Sequence, residues 1–294
     1  MNVEQSESDE GLMTLCAEHV YSFDKDRYLV TMAAPSVARH KLMTLYAFNV
    51  EVAQICDNVS ESILGDIRFQ WWRDQIASAY AQGPRSSGIA GALYDTIQTS
   101  NIRQSLFERL LDSRQRDLDK SPPQTREELI TYCEGTSPTL VQLSMELLDP
   151  KYSMSQSAGG GGSELAHHTG IAWALCGLIR AMPHHTAHGR CYIPAQMLAD
   201  AGVGWEYLHH DTDAVIPLME PLATTAEQHL ASARQLARDL PTSAVASILV
   251  IPLASHYLSV LRKAGFNPYD ARVQQTHSIS KTLRLMWATM WKRV

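Results

Sequence analysis

Apolar positions recur every three to four residues along most of the chain, the spacing of amphipathic helices. This pattern predicts helices over 10–21, 36–57, 64–81 and 102–120. Further helices are predicted over 125–148, 164–182, 213–239, 244–264 and 280–292. No long apolar/polar alternation occurs, so a β-sandwich or barrel finds no support and the expected fold class is all-α. Helix starts are marked at Pro35-Ser36, at Ser121-Pro122-Pro123 and at Thr242-Ser243 behind Pro241, where a hydroxyl or a fixed φ suits a first turn. The stretch SMSQSAGGGGS (153–163) reads as a flexible Gly-rich loop, because consecutive glycines forfeit helix propensity and have nothing to pack. Four adjacent glycines suit a phosphate cradle only with a preceding strand and a following Lys-Ser/Thr, and both are absent here.

Composition narrows the picture. The chain has 294 residues, 45% of them hydrophobic, enough for one large core, so 1–294 is expected to form a single domain with residues 1–9 flexible. Basic and acidic residues are interspersed and the formal net charge is -6, which gives no electrostatic footprint for nucleic acid. Five scattered cysteines without CxxC spacing point to reduced thiols in cytosol or mitochondrial matrix. The most apolar segment, from Ser243, is interrupted by Pro252 and His256 and is not expected to span a membrane. The start, MNVEQSESDEGL, is acidic where a mitochondrial presequence is arginine-rich, so the chain is expected either to lack its presequence or to be bacterial.

Three stretches carry a family resemblance: RYLVTMAAPSVARHKLMTLYAFNVEVAQICDNVSE, GDIRFQWWRDQI and HTGIAWALCGLIRAMPHHTAHGRCYIP. Their order and spacing resemble the squalene/phytoene synthase family from about Tyr21 to Leu198. The resemblance implies an isoprenoid-synthase-like helical bundle with a central cavity. In enzymes of that family two aspartate-rich motifs hold Mg²⁺ against prenyl diphosphates. Carboxylates at i and i+4 share a helix face, so both can reach ions that bridge to phosphate oxygens.

Counted from Tyr46-Ala47, the first motif's leading aspartate falls on Ala53, the neighbouring acid on Gln54, and only the last aspartate survives, as Asp57. Counted from Arg180 and Gly189-Arg190-Cys191-Tyr192, the second motif's aspartates fall on Ala181 and His185, and its upstream asparagine on Gly177. Magnesium wants oxygen ligands, so an alanine offers nothing and an imidazole little. Three lost ligands at about 2 kcal/mol each would slow ionisation on the order of ten-thousand-fold. The cavity is therefore expected to be vestigial and lined by Asn49, Glu51, Ala53, Asp57, Gly177, Arg180, Ala181, His185 and Arg190, with no catalytic residue, no cofactor and no metal. The strings YAFNVE, VSE and RAMPHH resemble the branch of the family that assists assembly of respiratory complex I. That branch implies complex I subunits or intermediates as partners, a peripheral position on the matrix side of the mitochondrial inner membrane (for a bacterial chain, the cytoplasm or the cytoplasmic membrane face), and a lipid as the cavity's candidate ligand. An active prenyltransferase with unorthodox ligands and a prenyl-lipid or quinone-binding module remain the rival readings.

Several side chains have two readings. Asp57 and Glu61 form a shifted i, i+4 pair if the helix continues through Val59-Ser60, and otherwise mark a helix end with a salt bridge to Arg68 or Arg73. Glu51 calls for a partner such as Arg180. His184, His185 and His188 crowd beside Cys191, with His167 and His168 upstream, yet the spacing fits no standard zinc signature, and the expectation is rim histidines. The run HHDTD from His209 stands alone and is not read as a site. Phe69, Trp71 and Trp72 are expected to supply at least two core residues. The last helix carries Trp287, Trp291, Lys292 and Arg293, a composition suited to a membrane interface or a partner groove.

Overall fold

The structure, a computed structural model, describes residues 2–154, 161–208, 212–275 and 278–291, and among them no strand occurs. The helices are α1 (Asn2–Phe23), α2 (Lys25–Met32), α3 (Ser36–Ala53), α4 (Ser62–Tyr80), α5 (Gly88–Gln98), α6 (Gln104–Gln115), α7 (Arg126–Leu148) and α8 (Lys151–Met154). They continue as α9 (Gly161–Arg180), α10 (Met182–Ala187), α11 (Ala195–Asp200), α12 (Thr212–Leu236), α13 (Val250–Lys263), α14 (Ala271–Gln274) and α15 (Ser278–Trp291). The all-α expectation holds. The described part of the Gly-rich stretch is partly helical, since α8 runs to Met154 and α9 begins at Gly161, and residues 155–160 lie outside the description. The chain start differs from expectation too, because α1 is helical from Asn2.

The chain divides into two compact units. The first comprises residues 1–118, 139–162 and 241–247, and the second comprises residues 119–138, 163–240 and 248–294. In the first unit α3 packs against α1, α2, α5 and α6, while α4 packs on α5 and α6. The sequence LMTLYAFNV explains the central place of α3: a helix apolar on nearly all sides is buried on all sides, and every residue from 42 to 50 is buried. Phe48 meets Trp72 edge-on at 5.0 Å and Phe107 at 5.5 Å, a favoured aromatic arrangement. Phe69 and Trp72 are core residues, whereas Trp71 is exposed. Glu146 of α7 is buried, and both its oxygens are used: Nε of Arg103 donates at 2.6 Å and the backbone N–H of Arg103 at 2.9 Å.

In the second unit α13 packs against α12, α14 and α15. The apolar run IAWALC places residues 171–176 of α9 wholly in the core. Gly170 makes the approach of α9 to α7 possible, since a Cβ there would lie 2.2 Å from the backbone nitrogen of Pro138. The segment Thr242–Lys263 is long and apolar enough to cross a membrane by length and composition alone, and two-thirds of its most apolar window is buried within the protein, as in a core helix. The expected continuous helix over 244–264 is instead a 3-10 stretch, Thr242–Ile248, followed by α13.

Candidate functional site

In the first unit the candidate residues gather at the end of α3. Asn49 is buried, Ala53 is half-buried, and Gln54 caps the helix. The expected helix over 36–57 stops there, in a stretch where Asp57, Asn58 and Ser60 have low helix propensity. A 3-10 turn, Ile55–Asp57, follows, and Glu61 is extended ahead of α4. Asp57 and Glu61 therefore do not share a helix face, which removes the shifted metal motif. Arg73 takes neither acid, and instead donates to Asp112 at 2.7 Å and to Gln115 at 2.8 Å. Glu51 also has a different partner from the one expected: its Oε1 lies 3.1 Å from Nε2 of His19, near enough for Coulombic pairing though off-line for a hydrogen bond.

In the second unit α9 ends at Arg180, and Ala181 caps α10, whose first turn contains Pro183. Pro183 sits in the first turn of the short helix that carries His184 and His185, where a fixed φ and a missing N–H are tolerated. Nothing lies within 4 Å of a Cβ built on Gly177. The Arg180 guanidinium stands 3.5 Å above the Tyr257 ring, and Lys281 Nζ lies 5.2 Å from the same ring. His185 and Arg190 border an apolar cleft with about 20 Å³ of free space, whose walls are mostly Leu129, Leu175, Ile179, Met182, Met219 and Leu222. That admits about one water and lies far below small-molecule pockets, which span about 300–1,000 Å³. From Gly177 to Arg190 there is no carboxylate, so this stretch presents an apolar wall, rings and basic groups.

The remaining histidines divide into two groups. His184 and His188 stack at 4.2 Å on the surface, as expected of rim residues. His167 and His168 of α9 instead converge with His229 of α12, with His168 Nδ1 3.0 Å from His229 Nδ1. Burial, and then the imidazoles of His168 and His167, push His229 down to about 4, while burial and His167 also lower His168. Sequence reasoning missed His229, which stands 61 positions from His168 and belongs to no local motif. The run HHDTD lies largely outside the described residues, His209, His210 and Asp211 among them.

On α15, Leu285 and Ala288 are buried while Leu283, Met286 and Trp287 are exposed. Trp287 and Arg284 edge a groove floored by Pro252, Ser255 and Ala288. Lys292 and Arg293 lie outside the described residues, as does the side chain of Trp291.

Known proteins resemble this arrangement along nearly the whole chain. Complex I assembly factor 6 of Mus musculus is 27% identical over 271 residues, covering 92% of this chain and 79% of the relative. Presqualene diphosphate synthase of Rhodopseudomonas palustris is 24% identical over 242 residues, covering 80% of this chain and 81% of the relative. The crystal structure of a dehydrosqualene synthase superposes with a TM-score of 0.81 at 17% identity, covering 97% of this chain and 98% of that one, which establishes the isoprenoid-synthase fold. The sequence profile of squalene/phytoene synthases matches residues 20–281, and the chain belongs to the squalene/phytoene synthase family.

Proposed function

We propose that the chain assists assembly of respiratory complex I as a non-catalytic member of its family, built as one synthase-like domain. The observation that carries this reading is the donor set at the two motif stretches. One offers Ala53, Gln54, an exposed Asp57 and a Glu51 engaged with His19, and the other offers Gly177, Ala181 and His185. Magnesium held against a diphosphate needs several carboxylate oxygens converging on it, and these residues do not fit that requirement. Whole-length similarity to proteins named complex I assembly factor 6 supports the same reading. Partners are then subunits or intermediates of complex I, met at the matrix face of the mitochondrial inner membrane or, in a bacterium, at the cytoplasmic face.

Deleting the gene and resolving the host's membranes on a native gel tests the proposal: mature complex I should fall, and normal levels would sink the assembly role. Incubation with farnesyl or geranylgeranyl diphosphate and Mg²⁺ tests catalytic silence separately. No product is expected, and turnover abolished by Asp57→Asn would overturn that half.

A further inference from the structure

We propose that His167, His168 and His229 form a binding site for a divalent transition-metal ion of the zinc type. Each residue offers one nitrogen, and the three nitrogens all lie within 4.8 Å of one another. Two imidazole nitrogens bound to one tetrahedral zinc at about 2.0–2.1 Å must stand roughly 3.3 Å apart. The Nδ1 atoms of His168 and His229 are 3.0 Å apart, so a movement of a few tenths of an ångström admits the ion between them. The three rings close a triangle, with centroids 5.1 Å apart for His167 and His168, 5.4 Å for His167 and His229, and 4.9 Å for His168 and His229.

The bland alternative is a packed histidine cluster held by its own hydrogen bond. Two neutral imidazoles share a single proton, however, so the contact between His168 and His229 satisfies one donor and one acceptor and leaves a third ring turned toward the same point. Charging two of the three would set like charges about 5 Å apart in a half-buried setting, which their mutual contact disfavours. Neutral imidazole is the form that ligates a metal, and burial together with the neighbouring rings holds His229 and His168 in it.

A second feature supports a metal over a stack of rings. Oε1 of Glu134, on α7, lies 3.5 Å from Nδ1 of His167. A carboxylate beside a ligand histidine is the usual outer partner of zinc, fixing the ring's tautomer and raising its basicity. All four residues stand on helices of the second unit, which hold them more closely than loops would. Each histidine is half-buried, so water takes the fourth position and the ion has a path in. The site would fasten α9 to α12. It is independent of the assembly proposal, since neither motif stretch contributes to it.

The test uses the full-length chain, purified without a polyhistidine tag and stripped with chelator. Zn²⁺ titrated by calorimetry should bind with one saturable equivalent, and Co²⁺ should give the visible absorption of a four-coordinate nitrogen site. Zn²⁺ should also raise the melting temperature of the wild type. His168→Ala and His229→Gln should abolish all three signals, and Glu134→Gln should weaken affinity about 10–100-fold. His184→Ala, at the surface pair, should change nothing. Circular dichroism identifies the variants that fold, and His229→Gln keeps the volume of the ring's inner part in case alanine does not. Absence of a saturable equivalent in the wild type overturns the proposal, as does unaltered binding in a folded His168→Ala/His229→Gln double variant.

Discussion

Both units pair basic groups with acids, but they differ in what they add to those pairs. In the first, Glu146 receives Arg103, Asp117 lies 3.4 Å from Arg114, and Glu51 stands beside His19. The second pairs Arg262 with Glu227 and Arg272 with Asp270, and besides these it sets the Tyr257 ring beneath Arg180 and Lys281 and brings three histidines together. A carboxylate already engaged by its own unit is a poor ligand for an external cation, because binding must first break that contact. A cation entering the histidine cluster would displace only the contact between His168 and His229. The difference teaches that the proposed cation site stands where ring nitrogens face one another, apart from both motif stretches.

Breaking the ion pairs of the first unit gives the largest expected effect. Glu146→Ala leaves the backbone N–H of Arg103 without its acceptor and a gap where the buried carboxylate stood, while the half-exposed Arg103 side chain can turn to water, so the loss should be about 2–4 kcal/mol. Chemical denaturation should show that loss at unchanged m-value, and a loss below about 1 kcal/mol would class the pair with ordinary surface contacts.

Within the second unit, two glycines of α9 sharpen the contrast between a filled place and an open one. Gly170→Ala drives a methyl group into the backbone of Pro138 and should cost about 1–3 kcal/mol. Gly177→Ala meets open space and gains helix propensity, so it should be neutral or stabilising by up to about 1 kcal/mol. Equal melting temperatures for the two variants would refute the packing difference.

The smallest effect belongs to Glu51→Gln. Its contact with His19 is partly exposed and off-line, so the change should stay within about 1 kcal/mol. A larger loss would mean that Glu51 does more for the end of α3 than its visible partner implies.

Long helices such as α4, α7 and α12 were legible because apolar residues spaced three to four apart recur over many turns, and α3 and α9 because their apolar runs are long. Short ones were not. α2, with eight residues, and α5, which carries Gly88 and Gly91, lack either the length or the propensity to announce themselves, and both are held by packing against α3. The end of α3 was misjudged for a related reason: apolar spacing continues through Ile55, but the backbone tightens there into a 3-10 turn closed by backbone bonds to Gln54 and Ile55.

The candidate site divides along the same line. That Ala53, Ala181 and His185 carry no carboxylate is a property of the string itself, in any fold. Choice of partner is not. Whether Glu51 meets His19 or an arginine, and whether His229 joins His167 and His168, depends on which helix faces are brought together by burying apolar surface, a force without direction or residue code. The sequence by itself therefore determined the fold class, the family and the poverty of acids at both motifs. Tertiary structure alone decided which charges are satisfied, where space remains open, and that histidines from α9 and α12 converge, because those outcomes follow from packing between segments far apart in the chain.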